Sequence, residues 1–190
     1  MWHTTEFGSS HEGKPAAVLA DGSEPKPVYF DVGSSGSVPA VSEWWVYDGR
    51  LHAPKAAHLR GSCACGWRGE SLYPIDWDQV EDARFDIEVS GPQSDWEQHV
   101  EEVRARSVPL PTALETLLTQ VDEQLTALSV EAPLAALRGV AVLERITKRI
   151  GREAAYDAKA DELSWDAIGQ ALGLDEKTAR SRLLHYSLRS

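Results

Sequence analysis

Beyond residue 111, apolar residues recur at intervals of three and four. Leu114, Leu117, Leu118, Val121, Leu125 and Leu128 form one stripe, which predicts a helix. Pro133 suits the first turn of a second helix that continues to about residue 157. Ser164 then caps a short helix in which Trp165, Ile168, Ala171 and Leu172 share a face. Gly173 follows the last of them, where a left-handed residue ends a helix at little cost. Asp175 can cap a further helix with Ala179 and Leu183 inward and Leu184 at the margin. Lys177, Thr178, Arg180, Ser181 and Arg182 are left outward.

Upstream the texture is different. Gly, Ser and Pro break up residues 1–40, and only 27–32 reads as a strand, so much of this segment is expected to be mobile. Trp44, Trp45, Val46 and Tyr47 lead into Asp48-Gly49, a two-residue hairpin signal. A second strand pair is expected at 57–63 and 67–73, turning through Cys63-Ala64-Cys65-Gly66. Ser94 caps a helix to about residue 106, and Pro109 and Pro111 close this part of the chain. The predicted class is therefore α+β. A small β-rich domain, stapled by zinc on the reading below, occupies 41–108 behind the segment 1–40. An all-α part follows, with a helical hairpin at 109–160 and a helix-turn-helix at 161–190.

In a DNA-binding helix-turn-helix the second helix enters the major groove, where Arg favours guanine and Ser or Thr makes short-range bonds. The residues Ile168, Gly169, Leu172, Gly173, Leu174 and the run Thr178-Ala179-Arg180-Ser181-Arg182-Leu183 resemble region four of sigma factors and related units of bacterial regulators. That resemblance implies double-stranded DNA as partner, read by Lys177, Thr178, Arg180, Ser181 and Arg182.

Charge qualifies this reading. Lys+Arg 19 against Asp+Glu 30 gives −11, whereas free-standing DNA binders usually carry a basic footprint. The excess is uneven: residues 131–190 hold ten basic and nine acidic side chains, leaving −12 on the first 130. Arg145, Lys148, Arg149 and Arg152 also fall on one helix face, either as a phosphate contact or as a solvated surface. Modest, salt-sensitive affinity is expected. There is no long apolar run and no leader-like start, so a cytoplasmic protein without a membrane segment is expected.

The two cysteines, Cys63 and Cys65, are too close in sequence for an easy disulfide, but on a tight turn they supply half of a tetrahedral zinc site. His99 on the predicted helix and His58 on the incoming strand complete the candidate set Cys63, Cys65, His99 and His58, with His52 as a substitute for the last. The alternative is a pair of reduced thiols packed as small hydrophobes. The turn Cys63-Ala64-Cys65-Gly66-Trp67 followed by the helix segment Trp96-Glu97-Gln98-His99 resembles a class of actinobacterial regulatory proteins. That resemblance implies a regulatory class and an intracellular setting without a mechanism.

Of the seven tryptophans, Trp44, Trp45, Trp67, Trp77 and Trp96 lie in the small domain. They read first as its core, next as an aromatic ligand pocket, and, with Glu43, Tyr47 and Asp48, as an acidic surface for a protein partner. The stripe beginning at Leu114 must be covered by other helices or by a second chain, which makes a homodimer one option. No nucleophile stands beside a base and no Gly-rich phosphate loop occurs, so an enzyme is the least expected class. The expected function is transcriptional regulation, with an acidic sensing or interaction domain before the helix-turn-helix. The alternative is a protein-interaction module that contacts a sigma factor, polymerase or phage-type partner through the same helices.

Overall fold

The computed structural model describes residues 1–29, 40–82 and 88–188. It is α+β and divides into two compact units, Met1–Glu102 and Val103–Ser190. No helix among the described residues is long and apolar enough to cross a membrane.

The first unit is built on a three-stranded antiparallel sheet. Its central strand β4 (His58–Cys63) pairs with β1 (Gly13–Val18) from Gly13 opposite Cys63 to Val18 opposite His58. On its other edge it pairs with the short β5 (Tyr73–Pro74). β2 (Val28–Tyr29) and β3 (Ala40–Val41) form a separate ladder, and positions 30–32 of the expected strand lie outside the described residues. Residues 1–29, expected to be mostly mobile, thus supply a full edge strand. Trp2 and Gly13 also exchange both backbone hydrogen bonds, at 2.8 and 2.9 Å.

The aromatic run before Asp48-Gly49 is a 3₁₀ turn, Trp44–Val46, rather than a strand. A strand sends residues three apart to opposite faces, whereas a 3₁₀ turn stacks them on one side. That geometry buries both Trp44 and Tyr47, at 5% and 1% exposure, with Ala17, Ala56, Leu59 and Val80. Tyr47 Oη donates to the Lys26 carbonyl at 3.2 Å, so neither aromatic belongs to the acidic surface patch. The chain reverses after Asp48, whose carboxylate accepts from Arg50 N–H at 2.8 Å. The loop is wider than the expected two residues and closes with a bridge between Asp48 and Lys55.

α1 (Trp77–Asp82) follows Asp76, which accepts from the backbone of Asp78 and Gln79. α2 (Ser90–Arg106) starts one turn earlier than Ser94, with the Glu88 carboxylate accepting from Ser90 N–H at 2.9 Å. Proline is tolerated in a first helical turn, so Pro92 does not block the earlier start.

In the second unit α3 (Thr112–Glu131) and α4 (Pro133–Ala160) form a hairpin joined at Ala132. α5 (Trp165–Leu172) is capped by Ser164 Oγ, which accepts from Ala167 N–H at 3.1 Å. It ends at Gly173 in the left-handed conformation, with φ 62°. α6 (Glu176–Leu188) begins after Asp175, whose carboxylate accepts from Thr178 N–H at 2.9 Å and from the Thr178 hydroxyl. These bonds, the hydroxyl's first, hold the Asp175 carboxyl below the usual carboxylate range. Ala155 of α4, Ile168 of α5, and Ala179 and Leu183 of α6 form one core, flanked by Trp165, Leu174 and Tyr186.

Gly169 permits the tight approach of the turn to α5, because a Cβ there would lie 2.8 Å from the Leu174 carbonyl oxygen. Gly169→Val is expected to lower stability by about 1–3 kcal/mol, as overpacking does elsewhere. Thermal denaturation followed by helical circular dichroism checks this, and an unchanged melting curve would contradict the packing described.

Candidate metal centre

Each of the four side chains that converge in the first unit is placed by a different local device. Cys63 ends β4, and its pairing with Gly13 carries the preceding 3₁₀ turn, Gly8–His11, alongside. After Cys63 the chain turns tightly: Gly66 N–H donates to the Cys63 carbonyl at 3.0 Å and Cys63 N–H to the Trp67 carbonyl at 3.0 Å. Gly66 adopts φ 97°, which a side chain would resist. Ala64 N–H donates to the Glu12 carbonyl at 2.8 Å, tying this turn to the N-terminal segment. His99 comes from α2, which lies against the sheet end through Trp96 and Val100.

Among the described residues, one donor atom each from His11, Cys63, Cys65 and His99 lie within 4.8 Å of one another, an arrangement that can hold a metal ion. Cys63 Sγ is 3.4 Å from His11 Nδ1 and Cys65 Sγ is 3.3 Å from His99 Nε2. Tetrahedral bonds of about 2.0–2.3 Å require donor separations of about 3.3–3.8 Å, so these two edges already fit. His11, Cys63 and His99 are buried and Cys65 is half-buried, so four protein donors are available to a single ion.

Aromatic rings fix the imidazoles. Trp67 stacks on His99 with centroids 4.5 Å apart and planes at 8°, and Phe7 meets His11 edge-on at 5.2 Å. Trp96 Nε1 donates to the His11 carbonyl at 3.2 Å, and its indole covers Gly13, where a Cβ would come within 2.6 Å of the ring. The Cys65 thiol is placed to donate a hydrogen bond to Cys63. The hydrogen bond from Cys65 holds the Cys63 thiol down to about 6, while the same contact and then burial push the Cys65 thiol up. A bound dication would supply the charge that displaces this remaining proton.

Cys63, Cys65 and His99 of the expected ligand set are thus brought together, and the fourth is His11 rather than His58. His58 stands five residues before Cys63 on the same strand. Side chains alternate along a strand, so His58 faces the opposite side of the sheet, and the strand rise puts it roughly 16 Å away. Its Nδ1 is buried without a hydrogen-bond partner. His52 lies in the loop after Gly49, exposed and with φ 69°. His11 was hidden in a Gly- and Ser-rich segment with no hydrophobic period. Its place is set by pairing: continuing the β1–β4 register puts residue 11 opposite residue 65.

Of the expected DNA-reading residues, Lys177, Arg180, Ser181 and Arg182 are exposed on α6. Thr178 is half-buried with its hydroxyl on Asp175, and the Arg180 guanidinium lies 5.9 Å from the centre of the Trp165 ring. Arg145, Lys148, Arg149 and Arg152 are exposed along α4. Trp45 and Trp77 line an open cleft of about 280 Å³ with Asp48, Arg50, Lys55, Asp78 and Val80. Comparison with known proteins gives no match, whether with family models, curated proteins or solved structures.

Elemental analysis of the purified chain after gel filtration is expected to find metal in wild type and in His58→Ala, and to lose it in Cys63→Ser and His11→Ala. Protons compete with the metal for the thiolates and imidazoles, so retention should fall as the solution is made acidic. Loss in His58→Ala with retention in His11→Ala would reverse the assignment.

Proposed function

We propose that the chain is a DNA-binding transcriptional regulator in which α5 and α6 act as a helix-turn-helix and zinc staples the first unit. The observation that carries the reading is the outward face of α6. Lys177, Arg180, Ser181 and Arg182 project from a helix whose inner face is fixed by Ala179, fully buried, and Leu183. The connection between α5 and α6 is three residues, Gly173, Leu174 and Asp175, a length suited to a helix-turn-helix, and the end of α4 supplies a third helix to the core. Arg180 and Arg182 are bidentate donors for guanine or phosphate. Ser181 lies between them, and Lys177 is placed near the start of the helix.

Thr178 contributes differently from the expectation: its hydroxyl orders the start of α6 through Asp175 and is not available for bases while that bond holds. Asp175 and Glu176 suit the dipole at the N-terminus of α6 but repel phosphates, which favours modest affinity. Zinc suits the first unit because two thiolates and two imidazoles form a structural donor set for it, with no position left open for catalysis.

Retention of sheared genomic DNA by the full chain across a salt series tests the reading. Wild type should recover selected sequences. Arg180→Ala with Arg182→Ala should weaken binding at least ~10-fold and flatten the salt dependence by roughly two phosphate contacts' worth. No retention by wild type at low salt would overturn DNA binding and favour the protein-interaction alternative, for which the acidic first 130 residues are suited.

A further inference from the structure

We infer that the α3–α4 hairpin is the interface with a second copy of this chain, closing into a four-helix bundle with α3 of one copy beside α4 of the other. None of the twenty residues of α3 is buried, and α4, with 28 residues, buries only Ala136 and Ala155. The hairpin's own seam is real: Leu125 and Leu128 are half-buried, and a Cβ on Gly139 would lie 2.8 Å from Leu125 Cδ2. That seam uses only part of the apolar arc. Leu114, Leu117, Leu118 and Val121 remain 43%, 57%, 52% and 36% exposed, and Ile146 and Ile150 of α4 remain 41% and 49% exposed.

On α3, Leu114, Leu118, Val121, Leu125 and Leu128 alternate at four and three residues, the spacing of a bundle seam. Leu117 widens the stripe to a second partner. A fully buried aliphatic side chain removes about 60–120 Å² of apolar surface from water, and six half-exposed ones account for roughly 270 Å² per copy. That is about half the apolar share of a standard homodimer interface, before flanking side chains are counted.

Charge selects the occupant and its arrangement. α3 carries Glu115, Asp122, Glu123 and Glu131 and no basic residue, whereas α4 carries six basic residues against three acidic ones. Pairing α3 with α3, or α4 with α4, would oppose like charges along the rim. Pairing α3 with α4 of a second copy opposes unlike ones and satisfies both helices by one two-fold operation. The interface does not depend on DNA binding and goes beyond that reading.

Light scattering of the full chain after size exclusion is expected to give twice the chain mass, and a single-chain mass at micromolar concentration would overturn the inference. Leu117→Asp should give single chains with helical content retained. Should that variant fail to fold, Leu117→Ala with Leu118→Ala keeps good helix formers and should raise the dimer dissociation constant on the order of tenfold. A dimer unaffected by these changes would overturn the assignment of this face. Added salt should weaken the dimer, because it screens attraction between α3 and α4 of the two copies; tightening with salt would contradict the arrangement.

Discussion

The antiparallel pairing of β1 with β4 is the constraint on which the first unit depends. By setting Gly13 opposite Cys63, it brings the turn that carries His11 beside the turn that carries Cys65. α2 then needs only to lie across the sheet end for His99 to complete the group. The indole of Trp96 and the ring of Trp67 hold that helix in place without a large aliphatic core. Gly13 is part of the same logic, since any side chain there would displace Trp96. The centre is thus assembled from segments 88 residues apart in sequence by one strand register and one helix.

The Cys/His group has the donor types found in structural zinc sites. Its donors are soft or neutral nitrogen ligands, three of the four residues are buried, and aromatic rings pack against both imidazoles. The opposed shifts of Cys63 and Cys65 come first from the hydrogen bond between the two thiols, while burial disfavours the charged form of both. A bound ion would offset that cost of burial and couple metal binding to the folding of this unit. The second unit is organised by other means: caps at Ser164 and Asp175, a left-handed Gly173, and small residues where α4, α5 and α6 meet. The second unit thus rests on helix packing, whereas the first combines a strand register and an aromatic core with the Cys/His group.

How much of this was legible follows from which forces act locally. Helices α3 to α6 could be read from the sequence because their periods, caps and turn glycines are short-range features. Ser164, Gly173 and Asp175 play the parts their residue types suggest. Cys63, Cys65 and His99 were legible as a donor set by chemistry, since thiolates on a tight turn and an imidazole on a helix are recognisable individually. His11 was not, because its place is set by a cross-strand register between distant segments, which no local pattern announces. His58 misled for the complementary reason: nearness in sequence on a strand does not mean the same face. The Trp44–Tyr47 run failed as a strand because two aromatics three apart had to enter one core, a tertiary demand that overrode the alternation expected of their residue types.

If zinc staples the first unit as proposed, His11, Cys63, Cys65 and His99 are its four ligands. X-ray absorption at the zinc edge on the full purified chain tests it most directly. A four-coordinate shell of two sulfurs at about 2.3 Å and two imidazole nitrogens at about 2.0 Å is expected. A shell made only of oxygen and nitrogen donors, or a folded chain that carries no zinc after exposure to it, would rule out a zinc site at these four residues.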